Sequence, residues 1–90
     1  MSVFVDTSAL FALLNRRDAA YTQAKGAWER LLSDRVDLHT TNYVVLETAA
    51  IAQRRLGLDA LRDLFMALLL PVTVNWIAPE DHAAAVAALP

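Results

Sequence analysis

Val3-Phe4-Val5 is an apolar run without alternation, built from β-branched and aromatic residues. Such a run suits a strand buried on both faces, as in parallel sheets covered by helices. It stops at Asp6 and passes through Thr7-Ser8 into Ala9-Leu10-Phe11-Ala12-Leu13-Leu14, so the order is strand, acid, short helix. After the polar break Asn15 to Asp18, the spacing predicts a helix capped by Asp18 and running to about Leu32. Its apolar face reads Ala20, Ala24, Ala27, Trp28 and Leu31, with Gln23, Glu29, Arg30 and Ser33 turned away. Ser33-Asp34-Arg35 is a turn, and Val36 to His39 is a second strand ending in the polar cluster Thr40-Thr41-Asn42.

A third helix is expected from about Tyr43 to Arg55, stopping at Gly57, because glycine favours the positive-φ position after a helix. Asp59 then caps a helix with core face Leu61, Leu64, Phe65, Leu68 and Leu69, ended by Pro71, with Met66 and Leu70 off that face. Val72 to Ile77 reads as a third strand, and Pro79 as the first residue of a last helix, Glu80 to Leu89, with its acids in the favourable first turn. Strands alternating with helices predict a three-layer α/β/α domain with a parallel sheet and right-handed crossovers.

Ninety residues make one small domain with a thin core. Without cysteine, disulfides and thiolate metal sites are excluded, and His39 and His82 stand too far apart for a zinc motif, so any metal is held by oxygen. A formal charge of −2 gives no general attraction for nucleic acid, so RNA binding would depend on local arginines or bound cations. No secretory signal opens the chain, which makes the cytoplasm the default location. Leu64 to Val74, broken by Pro71 and Thr73, falls short of the ~20 apolar residues of a membrane span.

In open α/β sheets ligands bind beyond the carboxyl ends of the strands, where Asp6 stands. Asp6 can instead cap the following helix, but Thr7 or Ser8 can do that alone, which ranks the ligand reading first. Glu47 is the second anomaly: Tyr43, Val44, Ala50 and Ile51, three and four positions away, are all apolar, so the carboxylate is expected on a core-facing stripe. A buried carboxylate pairs, neutralises or binds metal. Arg54 is the candidate partner for a purely structural ion pair. Near the start of a helix following strand two, Glu47 should project into the same crevice as Asp6. With Thr7, Ser8, Thr40 and Asn42 around them, two carboxylates make a site of the Mg²⁺ or Mn²⁺ type.

Gly26 and Gly57 follow no strand in a nucleotide-binding pattern, Ser8 has no evident histidine partner, and His39 reads as a strand-end residue. A phosphate-accepting receiver domain is disfavoured because Thr7 and Ser8 stand where a second acid is required.

Val5-Asp6-Thr7-Ser8-Ala9-Leu10, then Thr41 to Thr48 with Glu47, then Gln53-Arg54-Arg55-Leu56-Gly57, resembles the PIN-domain family, and within it the VapC-like toxins of toxin–antitoxin pairs. The resemblance covers the whole chain. It implies a Rossmann-like fold, a Mg²⁺- or Mn²⁺-dependent ribonuclease activity, and Asp6 and Glu47 as catalytic metal ligands, with Thr7, Ser8 and Asn42 at nearby polar positions. It also implies an RNA substrate, a cognate antitoxin and a homodimer in the cytoplasm, with no membrane association. Members of the family continue with further strands and acidic ligands, so residues 1–90 are read as one incomplete PIN domain lacking the last strands, inactive or impaired by itself. The alternative is a non-catalytic interaction module that binds an antitoxin or dimerises, with Phe11, Leu14, Met66 and Leu70 as candidate surfaces.

Overall fold

The computed structural model describes residues 1–81 and 87. In chain order the elements are β1 (Ser2–Phe4), α1 (Thr7–Leu14), α2 (Tyr21–Ser33), β2 (Asp37–Thr41), α3 (Asn42–Leu56), α4 (Leu58–Asp63), a π-helical turn (Leu64–Leu68) and β3 (Val72–Asn75). The strands form a parallel sheet in the order β1-β2-β3, flanked by helices. Val3 pairs with Leu38 and Phe4 with His39; Leu38 pairs with Val72 and Thr41 with Asn75. The α/β class and parallel sheet expected from the alternating pattern are therefore present.

The core is Val5, Leu10, Leu14, Leu38, Ala52, Ala60, Leu64 and Val72, with Trp28, Leu31, Val36 and Leu68 packed against it. Leu14 thus belongs to the interior and not to an interaction surface, and Phe11 is half-buried. β1 is not buried on both faces: Phe4 is 58% exposed, and the strand lies at the sheet edge with β2 as its neighbour among the described residues. Among those residues no helix is long and apolar enough to cross a membrane.

Two expected caps differ. Asp18 Oδ1 accepts the Ala20 N–H at 2.8 Å, a local turn that uses the side chain before the helix starts, so α2 begins at Tyr21 without a side-chain cap. α4 starts from Gly57, and Asp59 lies in its first turn without capping it. Gly57 has φ 93° and ψ −173°; the positive φ suits glycine, and the extended ψ lets one residue end α3 and start α4.

After α4 the Leu69 N–H donates to Leu64 O at 3.0 Å, an i to i+5 bond that inserts an extra residue into the turn. That slip rotates the face: Leu64 is fully buried, whereas Phe65, expected inside, is 46% exposed. Met66 and Leu70 are exposed, as the spacing predicts. β3 ends at Asn75, two residues before the expected Ile77, and Pro79 opens a helical stretch seen at residues 79–81. The remainder of the last helix, with His82, lies outside the described residues.

Candidate metal and phosphodiester site

The carboxyl end of β1 is fixed from both sides. Val5 N–H donates to His39 O at 2.7 Å, and the buried Thr40 hydroxyl donates to Val5 O at 2.7 Å. The next residue, Asp6, is extended (φ −94°, ψ 176°) and is the N-cap of α1. Its Oδ1 accepts the Ala9 N–H and the Ser8 hydroxyl, each at 2.9 Å. The capping role that Thr7 or Ser8 was expected to fill therefore falls to Asp6, because the aspartate one residue before the first helical turn reaches Ala9 N–H directly. The Ala9 N–H, followed by the Ser8 hydroxyl, holds the Asp6 carboxyl below its ordinary value of 3.8, outweighing slight desolvation. Both bonds use Oδ1.

β2 hands over to α3 in the same way. Thr41 is the N-cap, its Oγ1 accepting the Val44 N–H at 3.2 Å. The buried positions of α3 are Asn42, Val45, Thr48 and Ala52, a stripe at helical spacing. Thr48 satisfies its hydroxyl by donating to Val44 O at 2.7 Å. Glu47 falls off that stripe and is exposed. The apolar neighbours that placed it in the core mislead because α3 is apolar on more than one face: Leu46 is also exposed. Arg54 does not pair with it, and among the described residues Glu47 is in no ion pair.

Asp6, Thr7, Ser8, Thr41, Tyr43, Val44, Glu47 and Ile77 nevertheless line one open cleft of about 530 Å³ at the strand ends. The two acids thus come together without burial. Asn42 does not join them. Its amide Nδ2 donates to Ile77 O at 3.2 Å and its Oδ1 accepts the Ile77 N–H at 2.8 Å, so both ends are spent on the chain leaving β3. Thr40 is likewise consumed inside the sheet.

Sequence reasoning left Thr41, Tyr43, Val44 and Ile77 out of the site. The polar strand-end cluster signals Thr41; Ile77 is placed by the long-range clamp from Asn42, which no local pattern reveals.

The donor chemistry fits a hard cation. Mg²⁺ is commonly held by one or two carboxylates while keeping several waters, and here one ionised and one exposed carboxylate face an open cleft. Among the described residues no group of three or more potential His, Cys, Asp or Glu ligands exists. A smaller cleft of about 250 Å³ between α1, α2 and the π-helical turn is lined by Leu13, Trp28 and Leu68 and carries the exposed Arg16–Asp63 pair at 3.5 Å. It shares no lining residue with the cleft that gathers the acids.

The sequence model described as PIN domain matches residues 3–89. Among solved structures, the Mycobacterium tuberculosis VapC20, a sarcin–ricin loop cleaving toxin, is similar at 31% identity with a TM-score of 0.74. The match covers 96% of this chain and 65% of the VapC20 chain, so this chain spans just under two thirds of that relative's length. No curated protein matches.

Proposed function

This chain belongs to the PIN-domain family, and from that premise we propose that it is a metal-dependent endoribonuclease domain, the toxin of a toxin–antitoxin pair, with impaired activity as these 90 residues. The observation that carries the reading is the convergence of Asp6 and Glu47, from separate strand-to-helix junctions, on one cleft with Thr7 and Ser8. RNA is the proposed substrate class, and a cognate antitoxin, a second copy of the chain and a cytoplasmic setting complete the proposal. Residues 1–90 act in it as one PIN domain, supported by the extent of the family match.

Asp6 and Glu47 would hold Mg²⁺ or Mn²⁺. When bound, the ion supplies an activated water and stabilises charge on the phosphodiester and its leaving oxygen. The chain's own contribution is positioning. The cap to Ala9 and the Ser8 hydroxyl fix the Asp6 carboxylate in one orientation and keep it ionised. Glu47 is presented from a helix whose first turn is pinned by Thr41, and Val44 and Ile77 give the cleft an apolar wall.

Cleavage of single-stranded RNA should be slow, should require Mg²⁺ or Mn²⁺, and should vanish in excess EDTA and in Asp6→Asn and Glu47→Gln. Undiminished cleavage in EDTA, or by either variant, sinks the metal-nuclease reading. Calorimetric titration should show weak Mn²⁺ binding that both substitutions remove; tight binding would contradict a site of two carboxylates.

A second reading, a non-catalytic module that binds an antitoxin or dimerises, is favoured by one observation: Leu58, Met66 and Leu70 are all more than two-thirds exposed around α4 and the turn after it. Folded protein that neither binds Mn²⁺ nor cleaves RNA would select it.

A further inference from the structure

Next to the acidic cleft lies a second one, of about 520 Å³, lined by Asn42, Tyr43, Leu46, Trp76, Ile77, Ala78 and Pro79. The two clefts share Tyr43 and Ile77, so they are adjacent. Trp76 is 82% exposed, more than any other aromatic residue among the described ones. Leaving so large an apolar side chain in water forgoes a substantial burial gain, yet its place is not loose. The residue after it is clamped through both backbone groups by the buried Asn42 amide, and the residues before it are held in β3 by pairing to β2. The backbone thus presents the indole from a fixed position at the mouth of the shared wall.

We propose that Trp76 is a stacking platform for an unpaired nucleobase of the RNA whose phosphodiester occupies the Asp6–Glu47 cleft. This rests on the nuclease reading and adds a substrate-positioning residue to it. The chemistry of the cleft favours the base over the backbone: no lysine or arginine lines it among the described residues, so it offers a phosphate no cation, while an indole face and aliphatic walls suit the flat π-surface of any base. Its position against the acidic cleft, with Tyr43 and Ile77 common to both linings, favours a strand of single-stranded RNA over an unrelated occupant, because one chain can place a phosphate in one cleft and an adjoining base in the other. Stacking is sequence-tolerant, so Trp76 would favour unpaired over duplex RNA without choosing a base.

The test is fluorescence anisotropy of a short end-labelled single-stranded RNA in Mg²⁺ buffer, its integrity checked on a gel, against wild type, Trp76→Ala and Trp76→Phe. Since the side chain is exposed, neither substitution empties the core, and circular dichroism checks the fold. Trp76→Ala should weaken binding roughly tenfold or more, and Trp76→Phe should retain most of the affinity. An abasic version of the oligonucleotide should bind wild type about as weakly as the intact one binds Trp76→Ala, the coupling expected if ring and base touch. In a Trp28→Phe background, RNA should quench the remaining indole fluorescence.

Equal affinity of wild type and Trp76→Ala would overturn the platform while leaving the nuclease reading to the Asp6 and Glu47 variants. Loss of self-association in Trp76→Ala with RNA binding unchanged would overturn it in favour of a protein interface. Absence of RNA binding by wild type, with or without Mg²⁺, would remove both.

Discussion

Asp6 Oδ1 accepts the backbone N–H of Ala9 at 2.9 Å, so the carboxylate proposed to hold metal also starts the first helix. The two roles separate under substitution. Asp6→Asn keeps an oxygen able to cap, and should leave stability nearly unchanged while abolishing cleavage. Asp6→Ala removes the acceptor and should cost about 1 kcal/mol in urea denaturation, within the usual range for a lost N-cap.

The pH dependence has a defined sign. The folded Asp6 carboxyl lies below 3.8, so its stabilisation is present above that value and is lost as pH falls through the folded value. The side chain is exposed, so solvent screening keeps this contribution small. The stability difference between wild type and Asp6→Ala should therefore shrink below pH 3.8; a gap that widens with acidification would contradict the assignment.

Local chemistry explains what was legible in the sequence. Val3 to Leu14 announces strand, acid and helix, and Thr40 to Glu47 repeats the handover, because caps and strand ends are written within a few residues. The placement of Glu47 was not legible, since exposed Leu46 and buried Val45 look alike as letters and only packing decides which face turns inward. Phe65 was lost to a π-helical slip that ordinary helical spacing does not encode. The role of Asn42 was hidden for a third reason: its partner, Ile77, is 35 residues away.

That Asn42–Ile77 contact should carry measurable stability. Asn42 is 9% exposed, and its amide answers both the N–H and the C=O of Ile77. Asn42→Ala should cost about 1 to 3 kcal/mol by chemical denaturation, because it leaves part-buried backbone groups unpaired. Asn42→Asp keeps an acceptor for the N–H but sets a carboxylate against the Ile77 carbonyl, and should fall between wild type and the alanine variant only when the acid is protonated. Wild-type stability in Asn42→Ala would show the clamp to be incidental.

The turn from α2 into β2 holds a removable strain. Arg35 has φ 55°, its N–H donates to Leu32 O at 3.1 Å, and the Val36 N–H donates to Leu31 O at 3.1 Å. This is the paired-bond ending in which glycine is favoured, here occupied by a residue with a Cβ. Arg35→Gly should stabilise the fold by roughly 0.5 to 1 kcal/mol, the strain relief exceeding the added freedom of the unfolded chain. A melting temperature lowered by the substitution would show that the arginine side chain contributes more than its backbone costs.

The exposed edge of the sheet leads to the last expected outcome. β1 pairs with β2 alone among the described residues, and Phe4, at 58% exposure, lies on a strand of 3 residues whose shortness is not backed by a lysine or proline. An apolar edge with open N–H and C=O groups templates pairing with another chain, and burying it symmetrically is the least demanding solution for identical copies. The chain should therefore self-associate, its apparent mass by light scattering rising with concentration across the micromolar range. Phe4→Lys places a charge on that edge and should shift the material toward monomer without unfolding it, since Phe4 is outside the core formed by Val5, Leu10 and Leu38. Salt should partly restore association in the variant by screening the introduced charges. A wild-type chain that stays folded and monomeric at high micromolar concentration would show that this edge is tolerated, and a Phe4→Lys chain that associates as wild type does would move the contact to the apolar residues around α4.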